Sequence, residues 1–350
     1  MGRRELPLMA PITRGVLLAL VAAAAFGGVT PLVQLWSRGA DPPATAALLY
    51  LGAAAFALLP HRRDVRLTRQ WAPRVVGVAV CGAFVAPLAL AAGLGRTDGT
   101  TAALLLNLEA AFTVLLGGWI HREPLGPRVL TAVVAIGVGG ALVAVDHADG
   151  TGASSGFGAA LVALATLAWA VDNVGSRPLS EFDPSDVVAA KGSIGAALSL
   201  ALALALGSTW PAPAHAAAIA ACGAFGFGAS LRLYLRAQRV LGAARTGSVF
   251  AVAPFLGVVA ALALGQPFGT ALTALGAALV ALGAWLHLGE QHDHPHEHPA
   301  EAHDHPHTHD DGHHDHVHDP PVAGRHSHVH DHGARTHTHP HGEDLHHRHH

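Results

Sequence analysis

The chain alternates long apolar segments with short polar ones, and this pattern predicts its architecture. A helix needs about 20 predominantly apolar residues to cross a bilayer. Soluble helices show a polar face at helical period, whereas segments such as AALSLALALALG show none. We therefore predict an all-α integral membrane protein with ten transmembrane helices, at residues 15–36, 43–60, 73–95, 99–119, 127–146, 156–175, 186–206, 214–236, 244–264 and 268–288.

Arginine is distributed unequally between the two sets of loops. With the N-terminus in the cytoplasm, the outer loops hold only Arg38 and Arg96. The remaining loops then follow the positive-inside rule, and ten crossings return the C-terminus to the cytoplasm. We predict a multi-pass protein of the plasma (inner) membrane with both termini cytoplasmic. The cytoplasmic arginines would be Arg3, Arg4, Arg14, Arg62, Arg63, Arg66, Arg69, Arg74, Arg122, Arg128, Arg177, Arg236, Arg239 and Arg245.

The two halves of the apolar region resemble each other. CGAF occurs at 81–84 and again at 222–225, and LLGGWIHREPLG at 115–126 recurs in outline as VVAALALGQPFG at 258–269. Phe26 aligns with Trp169 in the same comparison. Because each copy has an odd number of spans, the second copy enters the membrane from the opposite side. After a cytoplasmic N-terminus at 1–14, we predict two inverted five-helix repeats, at 15–146 and 156–288.

The stretch TTAALLLNLEAAFTVLLGGWIHREPLGPRVLTAVVAIGVGGALV and its counterpart in the second half resemble the repeats of the EamA branch of the drug/metabolite transporter superfamily. The resemblance covers about residues 15–288. It implies a ten-helix carrier that moves small metabolites or drugs, often outward.

The family's motif positions differ between the two copies. Glu123 and Pro124 of the first copy align with Gln266 and Pro267 of the second. The mid-helix proline of the family is present as Pro254 in the ninth span, whereas the fourth span has Asn107, Leu108 and Glu109 in that neighbourhood. The resemblance therefore implies two halves that are chemically unequal.

A few ionisable residues lie within the apolar spans, where each costs ~2.5–3.5 kcal/mol on insertion scales. Glu109 is central in the fourth span and is predicted to bind a cationic substrate or a coupling proton; a glutamate that merely packs the bundle is the alternative. Asp172 and Lys191 are predicted to form a buried ion pair, unless Lys191 snorkels to the surface. Arg232 is either a cavity cation or a surface anchor. The candidate pathway residues are Glu109, Asn107, Asp172, Asn173, Lys191 and Arg232.

Residues 291–350 differ in composition from the rest of the chain. They hold 23 of the 28 His residues and carry a formal charge of −8, against +5 for residues 1–290. Such a segment cannot bury enough apolar surface to offset its chain entropy, so we predict that the tail, 289–350, is disordered. Neutral imidazole binds Zn, Ni, Co and Cu, and a many-site metal-binding tail is expected, with candidate ligands His292, His294, His296, His298, His303, His305, His307, His309, His313, His314, His316 and His318.

The apolar spans themselves contain no cluster of potential metal ligands, because the other five histidines lie at span ends or in loops. We therefore expect a secondary transporter for a small organic solute, an exporter rather than an enzyme, that requires no cofactor. Its partners would be the lipid bilayer, the solute and metal ions at the tail, with no nucleic acid; a homodimer is left open. The alternatives are a transition-metal (Zn, Ni or Co) tolerance or efflux protein and a membrane-anchored metal buffer.

Overall fold

The computed structural model describes residues 11–59, 67–121, 125–148, 156–241 and 243–288, together with four short segments of the tail at 295–298, 301–307, 326–332 and 335–338. The described part of 11–288 is helical throughout, with short turns between helices. The first half contains α1 (Pro11–Trp36), α2 (Pro42–Ala57), α3 (Ala72–Ala79), α4 (Ala86–Leu94), α5 (Gly99–Leu105), α6 (Leu108–His121) and α7 (Pro127–Ala148).

The second half repeats this order of helices. It contains α8 (Gly156–Ser176), α9 (Pro184–Ala205), α10 (Pro213–Cys222), α11 (Ser230–Leu241), α12 (Ala243–Phe250), α13 (Ala253–Ala263) and α14 (Ala271–Leu288). One π-helical turn joins α3 to α4 (Val80–Val85) and a second joins α10 to α11 (Gly223–Ala229), so both fall at the repeated CGAF sequence. Short 3₁₀ turns lie at Arg69–Trp71 and Arg177–Glu181.

These helices are those of an integral membrane protein. Within the described residues, seven continuous helical stretches are long and apolar enough to cross a bilayer, and three apolar helices are shorter: Pro42–Ala57, Ala253–Ala263 and Ala271–Leu286. Large apolar side chains cover their outer surfaces, including Trp119 (78% exposed) and Trp285 (65% exposed). Surfaces of this kind are suited to lipid rather than water. Each of the ten predicted spans overlaps a helix, or a pair of helices separated by a break.

The halves pack against each other symmetrically. α7 packs on α14 and α2 packs on α9, so equivalent helices of the two halves meet. The contact of α1 with α11 is matched by that of α8 with α4, and the contact of α1 with α13 by that of α8 with α6. Exchanging the first half for the second therefore reproduces these contacts, although α5 packs on α13 far more extensively than α12 packs on α6.

The α7–α14 pair shows the direction of this symmetry. Gly139 and Gly276 allow the two backbones to touch, because a Cβ on Gly139 would lie 2.6 Å from the Gly276 carbonyl oxygen. At one end of the pair Thr270 N donates to Asp146, and at the other Arg128 Nε donates to the Leu286 carbonyl. Equivalent helices are thus antiparallel, which requires a two-fold axis perpendicular to them.

The described tail segments form short strands. β1 (Pro295–His298) pairs with β4 (Arg335–Thr338), and β2 (Glu301–His307) pairs with β3 (His326–His332), each pair antiparallel. The disorder expected of the tail as a whole stays a prediction. The predicted ligands His292, His294, His309, His313, His314, His316 and His318 lie outside the described residues.

Candidate functional site

A cavity of about 610 Å³ lies between the two halves of the molecule. Its walls come from both repeats: Phe26 and Tyr50 belong to the first, and Trp169, Phe227 and Pro254 to the second. This volume is within the range of sites that hold small organic ligands.

Five of the six candidate pathway residues line this cavity: Glu109, Asn107, Asp172, Asn173 and Lys191. Apolar surface surrounds them, so the polar groups are concentrated at a few positions. Their role in transport stays a prediction.

Glu109 lies where the fourth span breaks. α5 ends at Leu105 and α6 begins at Leu108, which places the Glu109 carboxylate in the first turn of α6. At this break the N–H groups of Glu109 and Ala110 donate to the Leu106 and Asn107 carbonyls, each at 3.2 Å. Asn173 Nδ2 donates a 2.7 Å hydrogen bond to Glu109 Oε1, so the carboxylate also joins α6 to α8.

Asn107 occupies the break itself. It is buried, and its Nδ2 donates to the Leu104 carbonyl at 3.1 Å. The second half breaks at the corresponding place, between α12 and α13, where Pro254 stands in the first turn of α13. The same backbone interruption is therefore built with an amide and a carboxylate in one half and with proline in the other.

The predicted ion pair between Asp172 and Lys191 is confirmed. Lys191 Nζ lies 2.5 Å from Asp172 Oδ1 and 2.7 Å from Oδ2, and Ser176 Oγ donates to Oδ1 at 2.8 Å. The pair joins the end of α8 to the start of α9. Because both charges are largely shielded from solvent, loss of one partner would leave an uncompensated charge, typically at a cost of ~3–5 kcal/mol.

The π-helical turn at Val80–Val85 receives polar groups from three other residues. The Gly82 carbonyl accepts hydrogen bonds from Tyr50 Oη (2.7 Å) and Trp169 Nε1 (2.9 Å). The side chain of Asp172 packs so closely on Gly82 that it occupies the place of a Cβ. Gly82 is thus the point where α2, α8 and the third span meet.

Six aromatic rings form a continuous cluster in the cavity wall. Phe227 contacts three of them, with ring centroids 5.8 Å from Phe26, 5.7 Å from Tyr50 and 6.3 Å from Trp169. Phe250 extends the cluster from Phe26 to Tyr234. None of the six was among the candidate pathway residues predicted from the sequence. The available signal was the alignment of Phe26 with Trp169, because equivalent positions of two inverted repeats can face each other.

Arg232 is not among the cavity-lining residues. Its guanidinium donates to Ser185 Oγ (2.9 Å) and to the Ala57 carbonyl (2.8 Å), and it lies 5.0 Å from the centre of the Phe56 ring. These contacts join α11 to the end of α2 and the start of α9. Arg232 therefore connects helices beside the cavity.

Two other family-motif positions, Gln266 and Pro267, are not among the cavity-lining residues. Gln266 Oε1 accepts a 2.5 Å hydrogen bond from Gly99 N at the start of α5, and Pro267 follows in the exposed turn before α14. Glu123 and Pro124 lie outside the described residues.

The cavity extends toward one face of the membrane region. We call the loops at 37–41, 95–98, 206–212 and 264–270 the Arg-poor face and the opposite helix ends the Arg-rich face. Val187, in the first turn of α9, and Tyr234, near the end of the eighth span, line the cavity, and both lie toward the Arg-rich face.

On the Arg-poor face, hydrogen bonds join the helix ends. Gln34 Nε2 donates to the Thr97 carbonyl, Gln266 accepts from Gly99 N, and Asp41 N donates to the Thr209 carbonyl at 3.0 Å. Two of these three contacts cross between the halves.

Comparison with known proteins supports the same fold and class. The model of the EamA-like transporter family matches twice, at residues 13–145 and 156–289. An uncharacterized transporter of Methanothermobacter thermautotrophicus is 31% identical over 198 residues, which are 54% of this chain and 57% of that protein. The chain thus spans little more than half the length of this curated relative.

A solved protein structure has the same fold, with a TM-score of 0.53 at 21% sequence identity over 78% of this chain and 96% of the other. Two family matches at successive positions cover most of the sequence, and they coincide with the two symmetric halves. The chain belongs to the EamA-like transporter family.

Proposed function

We propose that the protein is a secondary transporter that exports a small organic solute by alternating access between two inverted five-helix repeats. The observation that carries this proposal is the cavity shared by the two halves, with Glu109 in its wall. Carriers built from inverted repeats bind their substrate where discontinuous helices meet near the midplane. The breaks at α5–α6 and α12–α13 provide such a place.

The proposed membrane orientation follows from charge. The sequence places most loop arginines in the segments that connect the helix ends of the Arg-rich face, so the positive-inside rule favours this face as cytoplasmic. Ten crossings then put both termini in the cytoplasm. A cavity that extends toward that face supports entry of solute from the cytoplasm, and hence outward transport across the plasma membrane.

A resistance screen tests this function. Cells that express the full chain, Glu109→Gln or Asp98→Asn are compared for export of a panel of toxic organic solutes. Asp98→Asn is the matched control, because it also removes one carboxylate but lies on the Arg-poor face, where Asp98 caps α5 by accepting from Thr101 and Asn can cap a helix equally well. We expect wild type and Asp98→Asn to export at least one solute that Glu109→Gln does not. If the wild-type protein changes the export of no solute in the panel, the proposal fails.

Transition-metal tolerance is a second candidate function, which the pairing of β2 with β3 favours. The register makes His303, His305 and His307 the Cα partners of His330, His328 and His326, with Glu301 the Cα partner of His332. In this proposal the tail collects Zn, Ni, Co or Cu on the cytoplasmic side, either for efflux or as a membrane-anchored buffer.

Replacing these seven histidines by Asn in the full chain separates the two candidates. If the tail only accompanies an organic-solute carrier, solute export persists and sensitivity to zinc and nickel is unchanged. If metal handling is the function, metal accumulation rises while the organic solutes are unaffected. Expression of residues 289–350 fused to an unrelated membrane anchor checks the buffer alternative, which requires that the fusion alone lowers metal sensitivity.

A further inference from the structure

The charges in the cavity wall leave one carboxylate without a cation. Asp172 and Lys191 neutralise each other. The Glu109 side chain has one hydrogen bond within the described residues, which it accepts from the neutral Asn173 amide. The helix ends at the two breaks add little net charge, because each break presents both a C-terminus and an N-terminus. An ionised Glu109 therefore gives the cavity a net negative charge.

Hydrogen-bond donors in the wall are mostly engaged with the protein itself. Tyr50 Oη and Trp169 Nε1 both donate to Gly82, so these two side chains present their rings to the cavity. Lys191 Nζ is held by Asp172 and Ser176, and Ser230 Oγ donates to the Ala22 carbonyl. Thr113 Oγ1 also lines the cavity and has no hydrogen-bond partner within the described residues. An anionic solute would find this one neutral donor and would otherwise have to displace the bonds above, whereas a cation needs only the carboxylate.

The aromatic cluster provides a second group of contacts for a cationic solute, beside the Glu109 carboxylate. Its six rings come from both repeats and form an unbroken series from Trp169 to Tyr234. Aromatic faces attract organic cations through their quadrupole, and the attraction is greater where water is excluded. Asn173, the partner of Glu109, lies one helical turn after Trp169 on α8, which puts the carboxylate beside the aromatic wall.

We propose that the transported solute is an organic cation with an apolar body, whose ammonium group pairs with Glu109 and whose body lies on the aromatic cluster. This inference rests on the proposed function, because it names the substrate class of the same cavity. The proposal also explains why the two helix breaks differ. The break at Glu109 recognises the charge of the solute, whereas the break at Pro254 only interrupts the helix.

Three probes of similar size and different charge test this proposal on the purified full chain. Phenethylammonium is cationic at neutral pH, phenethyl alcohol is neutral and 3-phenylpropionate is anionic. Equilibrium binding in lipid nanodiscs is measured by calorimetry. We expect phenethylammonium to bind about tenfold more tightly than phenethyl alcohol, the ratio that ~1.4 kcal/mol produces, and 3-phenylpropionate to bind most weakly.

Two pairs of variants assign the effect to the named groups. Glu109→Gln should remove the preference for the cation while leaving the binding of phenethyl alcohol unchanged, and Asp98→Asn should leave both unchanged. Phe227→Leu should weaken the binding of phenethylammonium, because Phe227 is the centre of the aromatic cluster. Phe225→Leu is its matched control, since Phe225 lies on the same π-helical turn but is 62% exposed and lies outside the cavity lining.

Several outcomes would overturn the cation proposal. These are equal or tighter binding of the alcohol or the carboxylate, a preference for the cation that survives Glu109→Gln, and no saturable binding of phenethylammonium. Because binding is measured without transport, the two proposals fail separately. A protein that binds the cation but moves no solute refutes the transport function, whereas one that exports neutral or anionic solutes refutes only the cation.

Discussion

At the scale of single residues, Gly82 connects the polar and the aromatic parts of the cavity. Its carbonyl accepts from Tyr50 and Trp169, and its missing side chain leaves room for Asp172. Because Asp172 also holds Lys191, one glycine determines how closely the ion pair can approach the third span. Gly82 also lies in a π-helical turn, and such turns are frequent at functional sites.

Gly82→Ala should therefore impair both stability and transport. The new Cβ would overlap Asp172, so the carboxylate must move away from Lys191 or the helices must separate. Overpacking of this kind typically costs ~1–3 kcal/mol. Thermal unfolding in detergent and solute export are the two measurements. Gly77→Ala is the control, because nothing lies within 4 Å of its Cβ position on the preceding helix α3. Equal behaviour of the two variants would contradict the proposed role of Gly82.

At the scale of helices, α7 and α14 form the tightest contact between equivalent elements. Their backbones touch at Gly139 and Gly276, and side chains join both ends of the pair: Asp146 accepts from Thr270 and Thr273, and Arg128 reaches Leu286. In membranes, close packing of this kind replaces the hydrophobic effect as the source of helix association. The pair is thus suited to remain fixed while other helices move.

Gly139→Ala and Gly137→Ala test this contact on a single helix. A Cβ on Gly139 would meet the carbonyl oxygen of Gly276 at 2.6 Å, whereas nothing lies within 4 Å of the Cβ position on Gly137. We expect Gly139→Ala to lower the free energy of unfolding by ~1–3 kcal/mol. Gly137→Ala should have no effect or stabilise by up to ~1 kcal/mol, because alanine favours helix. Thermal unfolding of both variants in the same detergent measures the difference in stability. A larger loss of stability for Gly137→Ala than for Gly139→Ala would refute the contact.

At the scale of the whole molecule, the two faces of the membrane region differ. On the Arg-poor face, Gln34, Gln266 and Asp41 join helix ends by hydrogen bonds, two of which cross between the halves. The cavity extends toward the opposite face. Transport by alternating access requires these contacts to break when the solute leaves.

A reversible cross-link on the Arg-poor face should therefore stop transport. Asp41 and Thr209 are exposed, belong to different halves and are joined by a backbone hydrogen bond. In a background with Cys81 and Cys222 replaced by Ala, the double variant Asp41→Cys, Thr209→Cys is oxidised and reconstituted in vesicles. Solute transport should be lost on oxidation and recovered on reduction. Transport by the single variant Asp41→Cys should not change with oxidant. Full transport by the cross-linked protein would show that the contacts on the Arg-poor face stay closed during transport.

Sequence alone determined the class of protein and the position of its helices. The length of an apolar segment is a local property, because each segment must by itself span the hydrocarbon and satisfy its own backbone hydrogen bonds. The length therefore predicted where the helical spans lie to within a few residues. The cost of charge in hydrocarbon likewise made Glu109, Asp172 and Lys191 conspicuous, and two of them do form the expected ion pair. The repeat of CGAF predicted a duplication, and both copies lie at π-helical turns.

Only the tertiary structure decided what surrounds those residues. An aromatic side chain in an apolar span costs nothing, so Tyr50, Phe227 and Phe250 carried no signal until the helices that hold them came together. Arg232 was ambiguous for a similar reason, because its partners on α2 and α9 are distant in sequence. The pairing of β2 with β3 was also hidden, since composition reports the lack of a core but not the register of backbone hydrogen bonds. Insertion into the membrane is decided segment by segment, whereas a binding site is made by the contacts between segments.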